Sequence, residues 1–142
     1  MFIFIVFLRK YHKLGQRPVC VYLSPEHPLA GKEVVSFDDL KDYPFLVYEQ
    51  DHNSSTYFYE DVISSIGFHN VIKTYDRGTM MDLVGRIEAY TIGMGIVGRK
   101  SKDLVSIRLD SDESYIIGYI KRPGTELSDI GKDYLTQLKS YL

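Results

Sequence analysis

Cysteine, tryptophan and concentrated charge are scarce in this sequence of 142 residues. It contains one cysteine, Cys20, no tryptophan, and 17 basic against 19 acidic residues, for a formal net charge of −2. A single cysteine excludes an internal disulfide and fits a reducing compartment. Because no dense run of lysine and arginine is present, the sequence also lacks the electrostatic pattern of a DNA-binding surface.

A long hydrophobic segment is also missing. The most apolar stretch, Met1–Leu8, is far shorter than the ~20 residues that a membrane-spanning helix needs. The positive residues Arg9 and Lys10 follow this stretch instead of preceding it, which is atypical of a signal peptide. We therefore predict a cytoplasmic protein with no membrane partner.

Motifs for metals, nucleotides and nucleophilic catalysis are absent or misplaced. The histidines show no paired spacing, and neither a P-loop nor a G-x-S-x-G elbow occurs. Gly93, Gly95 and Gly98 match the dinucleotide-binding fingerprint, but they follow a predicted helix instead of opening one. The sequence thus predicts no metal and no cofactor.

The stretch Val71–Gly98 predicts a β-α-β unit around which the rest of the chain is organised. Val71–Tyr75 has the β-branched alternation that is typical of a strand. Thr79 then predicts the N-cap of a helix, Gly93 predicts its end, and Met94–Val97 predicts a buried second strand. The first strand would therefore lead directly into the start of a helix.

Helices and strands alternate through the middle of the chain. Further strands are predicted at Phe2–Leu8, Pro18–Leu23, Phe45–Tyr48, Val105–Leu109 and Tyr115–Ile120. Helices are predicted at Phe37–Lys41 with Ser36 as its cap, at Ser55–Ile66, and after Ser128 with an apolar stripe of Ile130, Leu135, Leu138 and Leu142. This alternation predicts an α/β fold with a parallel-rich sheet flanked by helices.

The carboxyl ends of the predicted strands are the candidate binding site, because ligands of parallel sheets bind beyond these ends. Arg77, Gly78 and Thr79 follow one such end, where free N–H groups and the helix dipole favour an anion. The candidate ligand-binding residues are Ser24, Glu49, Arg77, Gly78, Thr79, Met80, Gly98 and Arg99. A purely structural cap is the alternative interpretation at the start of the helix.

Short segments in order along the chain resemble LysR-type transcriptional regulators. These segments are His27–Gly31 (HPLAG), Ser36–Leu40, Tyr43–Leu46, Ile66–Phe68, and Leu83–Val84 followed by Gly93–Ile96. The resemblance covers roughly Lys13–Leu142, whereas residues 1–10 match nothing expected at that place.

The resemblance implies a type 2 periplasmic-binding-protein-like fold, in which a small-molecule effector binds between two α/β lobes. It implies a single effector-binding domain fragment over residues 1–142. In this fragment, residues 24–114 are the complete second lobe, and residues 13–23 and 115–142 are crossover strands and a remnant of the first lobe. It also implies a homodimer or higher homo-oligomer that contacts DNA only through a helix-turn-helix domain absent from this chain.

A small α/β enzyme is the alternative, acting on an anionic substrate at the corner formed by Asp76, Arg77 and Thr79. The same fold can host both kinds of function. Such an enzyme needs a general base or nucleophile facing that corner, and the sequence offers only Glu49 and Asp76. We therefore predict a module that binds an anionic effector, and not an enzyme.

Overall fold

The described part of the chain forms eight strands and three helices. A computed structural model describes residues 10–48, 70–95 and 102–142. In chain order the elements are β1 (Lys10–Pro18), β2 (Cys20–Leu23), β3 (Val34–Val35), α1 (Phe37–Leu40), β4 (Phe45–Tyr48), β5 (Val71–Thr74), α2 (Arg77–Val84), β6 (Thr91–Gly93), β7 (Val105–Leu109), β8 (Ser114–Lys121) and α3 (Asp129–Lys139). The predicted strand Phe2–Leu8 and the predicted helix Ser55–Ile66 lie outside the described residues.

The chain divides into two compact units. The larger unit is Pro18–Glu113, and the smaller one joins the chain before Pro18 to Ser114–Leu142. The sequence resemblance implies that the second lobe begins at Ser24. The larger unit begins earlier, at Pro18, because β2 pairs within the sheet of this unit.

A four-stranded sheet with the order β3-β7-β2-β6 forms the centre of the larger unit. Strand β2 runs antiparallel to both of its neighbours, with Cys20 opposite Gly93 on one side and Arg108 on the other. Strand β3 runs parallel to β7. Strands β3, β6 and β7 therefore share one direction, and β2 alone opposes them.

Strands β4 and β5 extend this arrangement as a parallel pair. Phe45 forms a parallel bridge with Tyr90, one residue before β6, and the Leu46 amide donates to the Tyr90 carbonyl at 2.8 Å. Strand β4 thus has the direction of β6, and β5 has the direction of β4. This confirms the parallel-rich sheet predicted from the sequence.

The burial pattern explains why the strands occupy these places. All four residues of β2 are buried, as expected for an unbroken apolar run in a central strand, and Cys20 is only 7% exposed. In β7, by contrast, Ile107 and Leu109 are buried between exposed neighbours. Both patterns were predicted, and both are confirmed.

Helix α1 begins with the predicted cap. Ser36 Oγ accepts from the Asp39 amide at 3.2 Å, and Asp39 Oδ2 accepts from the Ser36 amide at 2.9 Å, which completes a capping box. The Lys32 ammonium, which donates to Asp39 Oδ1, and the hydrogen bonds with Ser36 lower the pKa of Asp39 to about 2. The cap places Leu40, which is fully buried, in the core.

Helix α2 differs from its prediction at both ends. Its N-cap is Asp76 and not Thr79. The helix ends at Val84, where the Gly85 amide donates back to the carbonyls of the last turn, so Gly93 does not end it. Gly93 instead lies in β6, because pairing with β2 holds this segment extended.

In the smaller unit, β1 pairs with β8. Gln16 Nε2 donates to Ser114 Oγ at 2.6 Å, while the His12 ring stacks on Tyr119 at 4.7 Å, so the two strands run in opposite directions. The predicted strand Pro18–Leu23 is divided, because β1 ends at Pro18 and β2 begins at Cys20.

Helix α3 confirms the predicted final helix, and Ser128 Oγ caps it by accepting from the Gly131 amide at 3.2 Å. Its predicted apolar stripe is only partly right. Leu135 and Leu138 are half-buried, but the side chain of Ile130 is 83% exposed. None of the helices in the described residues is both long and apolar enough to cross a membrane.

Candidate functional site

Three parallel strands of the larger unit end at one edge of the sheet. Their last residues are Tyr48 in β4, Thr74 in β5 and Gly93 in β6. Because the strands share one direction, these last residues lie at the same edge of the sheet. Helix α2 begins three residues after Thr74, so its N-terminus belongs to this edge. This carboxyl edge is the candidate functional site.

The N-terminus of α2 is already occupied by Asp76. Its Oδ2 accepts from the Thr79 amide at 2.6 Å. The amide and hydroxyl of Thr79, together with the Gly78 amide, hold the pKa of Asp76 below its usual value. An anion approaching the first turn would therefore meet a carboxylate before it reached these N–H groups.

Arg77, Gly78 and Thr79 lie together on the exposed surface of this first turn. Because Asp76 occupies the amide groups, a cationic contact to an anion would come from the Arg77 guanidinium. Met80 is different. It is 5% exposed and packs in a core cluster with Leu46 and Val84.

Ser24 is not brought together with Arg77, Gly78 and Thr79. It follows Leu23, which pairs with Val105 at the beginning of β7, whereas the site lies at the strands' carboxyl ends. Ser24 is therefore at the amino edge of the sheet, and it is 8% exposed. Three further predicted site residues, Glu49, Gly98 and Arg99, lie outside the described residues.

A cavity that no sequence pattern predicted lies at this amino edge. The cavity has a volume of about 440 Å³ and is lined by Ser24, Glu26, His27, Gly85, Arg86, Ile87 and Glu88. A neighbouring cavity of about 380 Å³ shares Gly85 and Arg86 with it. Two turns far apart in the sequence form the larger cavity, so no local motif indicates it.

The described residues at the carboxyl edge offer little for catalysis. The Asp76 carboxylate has a lowered pKa and serves as a helix cap, which makes it a weak general base. Within residues 10–48, 70–95 and 102–142, no group of three or more histidine, cysteine, aspartate or glutamate side chains could hold a metal ion.

Replacing Asp76 with alanine is expected to lower the melting temperature by a few degrees, because the Thr79 amide loses its acceptor. Asp76→Asn keeps an acceptor but not the charge. Because the folded-state pKa of Asp76 is lowered, the stabilisation by its charge is present above the unfolded pKa of about 4. It is lost as the pH falls through the lower folded value.

Thermal unfolding at pH 7 and at about pH 2.5 tests this cap, with Asp82→Ala on the exposed face of the same helix as the control. The difference between wild type and Asp76→Asn should shrink at the lower pH. A difference that does not change with pH, or an equal loss in Asp82→Ala, would contradict the assignment.

Comparisons with known proteins agree with this architecture. The family model of the LysR substrate binding domain matches residues 10–138. Among the curated proteins compared, none matches the chain.

Three solved structures illustrate the likeness. The LysR family regulator HinK from Pseudomonas aeruginosa has a TM-score of 0.71 at 15% identity, over 94% of this chain and 48% of that chain. The regulatory domain of CcmR from Synechocystis PCC6803, in complex with 2-PG, has a TM-score of 0.64 at 16% identity, over 93% and 66%. The effector binding domain of QuiR, in complex with shikimate, has a TM-score of 0.66 at 14% identity, over 94% and 66%.

These likenesses confirm the predicted fold, an α/β domain of the type 2 periplasmic-binding-protein kind. The chain spans 48% of the length of HinK and of another Pseudomonas aeruginosa regulator of the LysR family.

Proposed function

We propose, because this chain belongs to the family of LysR substrate binding domains, that it is the effector-binding module of a transcriptional regulator. The larger unit, Pro18–Glu113, would act as the second lobe of such a module, and strands β1 and β8 as its crossover strands. Contact with DNA would then require a helix-turn-helix domain that these residues do not include. Such a regulator would act in the cytoplasm.

The proposed effector is a small anion bound at the carboxyl edge of the larger unit. The observation that carries this proposal is the convergence of three parallel strand ends with the start of α2, where Arg77 is exposed. Hydrogen bonds from a guanidinium to a carboxylate or phosphate are stronger than neutral ones. A related domain binds shikimate, a carboxylate, and this supports the same class of effector here.

Replacing Arg77 with alanine is expected to weaken binding of the anion by roughly tenfold or more, since a hydrogen bond to a charged group contributes about 1.5–3 kcal/mol. The melting temperature should not change, because Arg77 is exposed. Isothermal titration calorimetry with shikimate, inorganic phosphate and a panel of small carboxylates measures this effect.

Arg86→Ala is the matched control. Arg86 is also an exposed arginine, but it follows the opposite end of α2 and lines the cavity at the amino edge. The Arg86→Ala protein should bind the anion as the wild-type protein does. Equal binding by the Arg77→Ala protein, or equal weakening in both variants, would remove Arg77 from the site.

A small enzyme acting at the same corner is the second candidate function, and we favour the binding module over it. Of the two candidate general bases, the Asp76 carboxylate is engaged as a cap, and Glu49 lies outside the described residues. Turnover of a bound anion that Asp76→Asn abolishes would reverse this preference.

Self-association is the remaining part of the proposal. On α3 and just after it, Ile130 is 83% exposed, Tyr134 63% and Tyr141 50%, and exposed apolar patches favour association. A homodimer or higher homo-oligomer is therefore expected in sedimentation velocity at micromolar protein. Ile130→Glu should shift the distribution toward monomer, whereas Glu126→Gln, outside the helix, should not. A wild-type monomer at every concentration would contradict this prediction.

A further inference from the structure

A buried histidine holds together the chain segment that leaves β2, the His27 turn (residues 24–31). His27 is 4% exposed, and its Nδ1 accepts from the Leu29 amide at 3.1 Å. Backbone hydrogen bonds close the chain on either side of this contact. The His27 amide donates to the Ser24 carbonyl at 3.0 Å, and the Ala30 amide donates to the His27 carbonyl at 2.8 Å. The ring is therefore an internal acceptor of the turn.

The bond to Nδ1 decides which protonation state the closed turn accepts. Because Nδ1 is the acceptor, the neutral ring carries its proton on Nε2. This Nε2 is buried, and no hydrogen-bond partner for it occurs within residues 10–48, 70–95 and 102–142. A second proton would bind at Nδ1 and set its N–H against the N–H of Leu29. The closed turn would then hold a buried cation with neither N–H satisfied, which is costly.

The groups around His27 compensate this cost only in part. Burial lowers the pKa of His27, and the Glu88 carboxylate, in the turn after α2, opposes the shift without cancelling it. The Tyr43 ring, in the turn after α1, lies 4.3 Å from the His27 ring and carries no charge. Glu26 and Arg86 line the cavity beside the turn, but both are exposed and their charges are opposite.

We propose that the His27 turn is an acid-sensitive switch, which is closed while the ring is neutral and opens when Nδ1 takes a proton. In the open turn the ring lies in water and has the ordinary histidine pKa of about 6.5. Because the closed turn has a lower pKa, opening becomes more favourable as the pH falls below about 6.5, until that lower value is passed. Since Ser24 and Glu26 of this turn line the cavity at the amino edge, opening changes this edge of the sheet.

Nuclear magnetic resonance of the ¹⁵N-labelled protein tests this switch between about pH 7.5 and about pH 4.5. The neutral His27 ring should be the Nε2–H tautomer and should titrate below about 6.5. Between these two pKa values, the protection of the Leu29 amide from hydrogen exchange should fall by up to tenfold per pH unit. The Val21 amide in β2 should remain more protected throughout, because the turn opens without unfolding of the sheet. Equal protection of Leu29 and Val21, or an Nδ1–H tautomer, would overturn the proposal.

Variants separate the switch from general acid sensitivity. His27→Asn keeps an acceptor that does not titrate, so the protection of the Leu29 amide should no longer depend on pH in this range. His12→Asn, which removes a histidine of the smaller unit, should keep the wild-type dependence. The same pH dependence in His27→Asn as in wild type would overturn the proposal.

The titration of the ring gives a second test that does not need the His27 variant. Glu88→Gln removes the carboxylate that favours the protonated ring, so the midpoint of the His27 titration should move to lower pH. Glu113→Gln, an exposed carboxylate outside the turn, should leave the midpoint unchanged. Equal midpoints in these two variants, or a wild-type midpoint at or above about 6.5, would overturn the proposal even if His27→Asn fails to fold.

Discussion

Replacing Phe45 with alanine is expected to lower the free energy of unfolding by about 3–5 kcal/mol, the usual cost of deleting a buried aromatic ring. Phe45 is fully buried, and its ring lies 5.2 Å from that of Tyr90. It also joins two neighbours, because its amide donates to the Asn70 carbonyl at 2.9 Å and it bridges Tyr90. A loss of this size is a large fraction of the 5–15 kcal/mol by which domains are typically stable.

Chemical denaturation measures this loss, with Tyr75→Ala as the control. Tyr75 is an aromatic residue of the same unit that is 78% exposed, so its replacement should change the stability by less than about 0.5 kcal/mol. The proposed anion binding at the carboxyl edge should fall with the folded fraction of the Phe45 variant, because β4 supplies one of the converging strand ends. Similar losses in the two variants would show that the Phe45–Tyr90 contact does not hold the sheet together.

Replacing Gly93 with alanine is expected to cost about 1–3 kcal/mol, the usual range for overpacking a core. A methyl group at this position would overlap the ring of Tyr22, which lies over the glycine from the neighbouring strand β2. Tyr22 is 8% exposed, so its ring has little room to move away. Thermal and chemical unfolding measure this cost.

A double-mutant cycle assigns the cost to this contact. In a Tyr22→Leu background, Gly93→Ala should cost much less, so the two sites should show a coupling energy of about 1–3 kcal/mol. Gly31→Ala is the control, because nothing lies within 4 Å of the position of its added methyl group. That change should be neutral or slightly stabilising, by up to about 1 kcal/mol. An equal cost of Gly93→Ala in both backgrounds would contradict the assignment.

The sequence alone determined several local elements and the family. Ser36 and Ser128 act as helix caps as predicted, because a cap depends on residues within one turn of each other. The apolar run of β2 and the alternation in β7 likewise determined their burial. The order of short segments such as His27–Gly31 indicated the LysR family, to which the chain belongs.

Only the tertiary structure decided how long α2 is and what Gly93 does. The helical spacing of apolar residues continues to Ile87, so the sequence placed the end of the helix at Gly93. Hydrogen bonds from Gly85 to the last turn end it at Val84, and pairing with β2 holds Gly93 in a strand. The residues that compete for this segment lie on another strand, and no local pattern contains them.

The tertiary structure also decided which residues share an edge of the sheet. An apolar run is the same whether its strand runs parallel or antiparallel to its neighbours, so the sequence could not separate Ser24 from Arg77. The antiparallel direction of β2 carries Ser24 to the amino edge, where it lines a cavity with His27 and Glu88. Strand direction is set by pairing between distant segments, and it therefore becomes visible only in the folded chain.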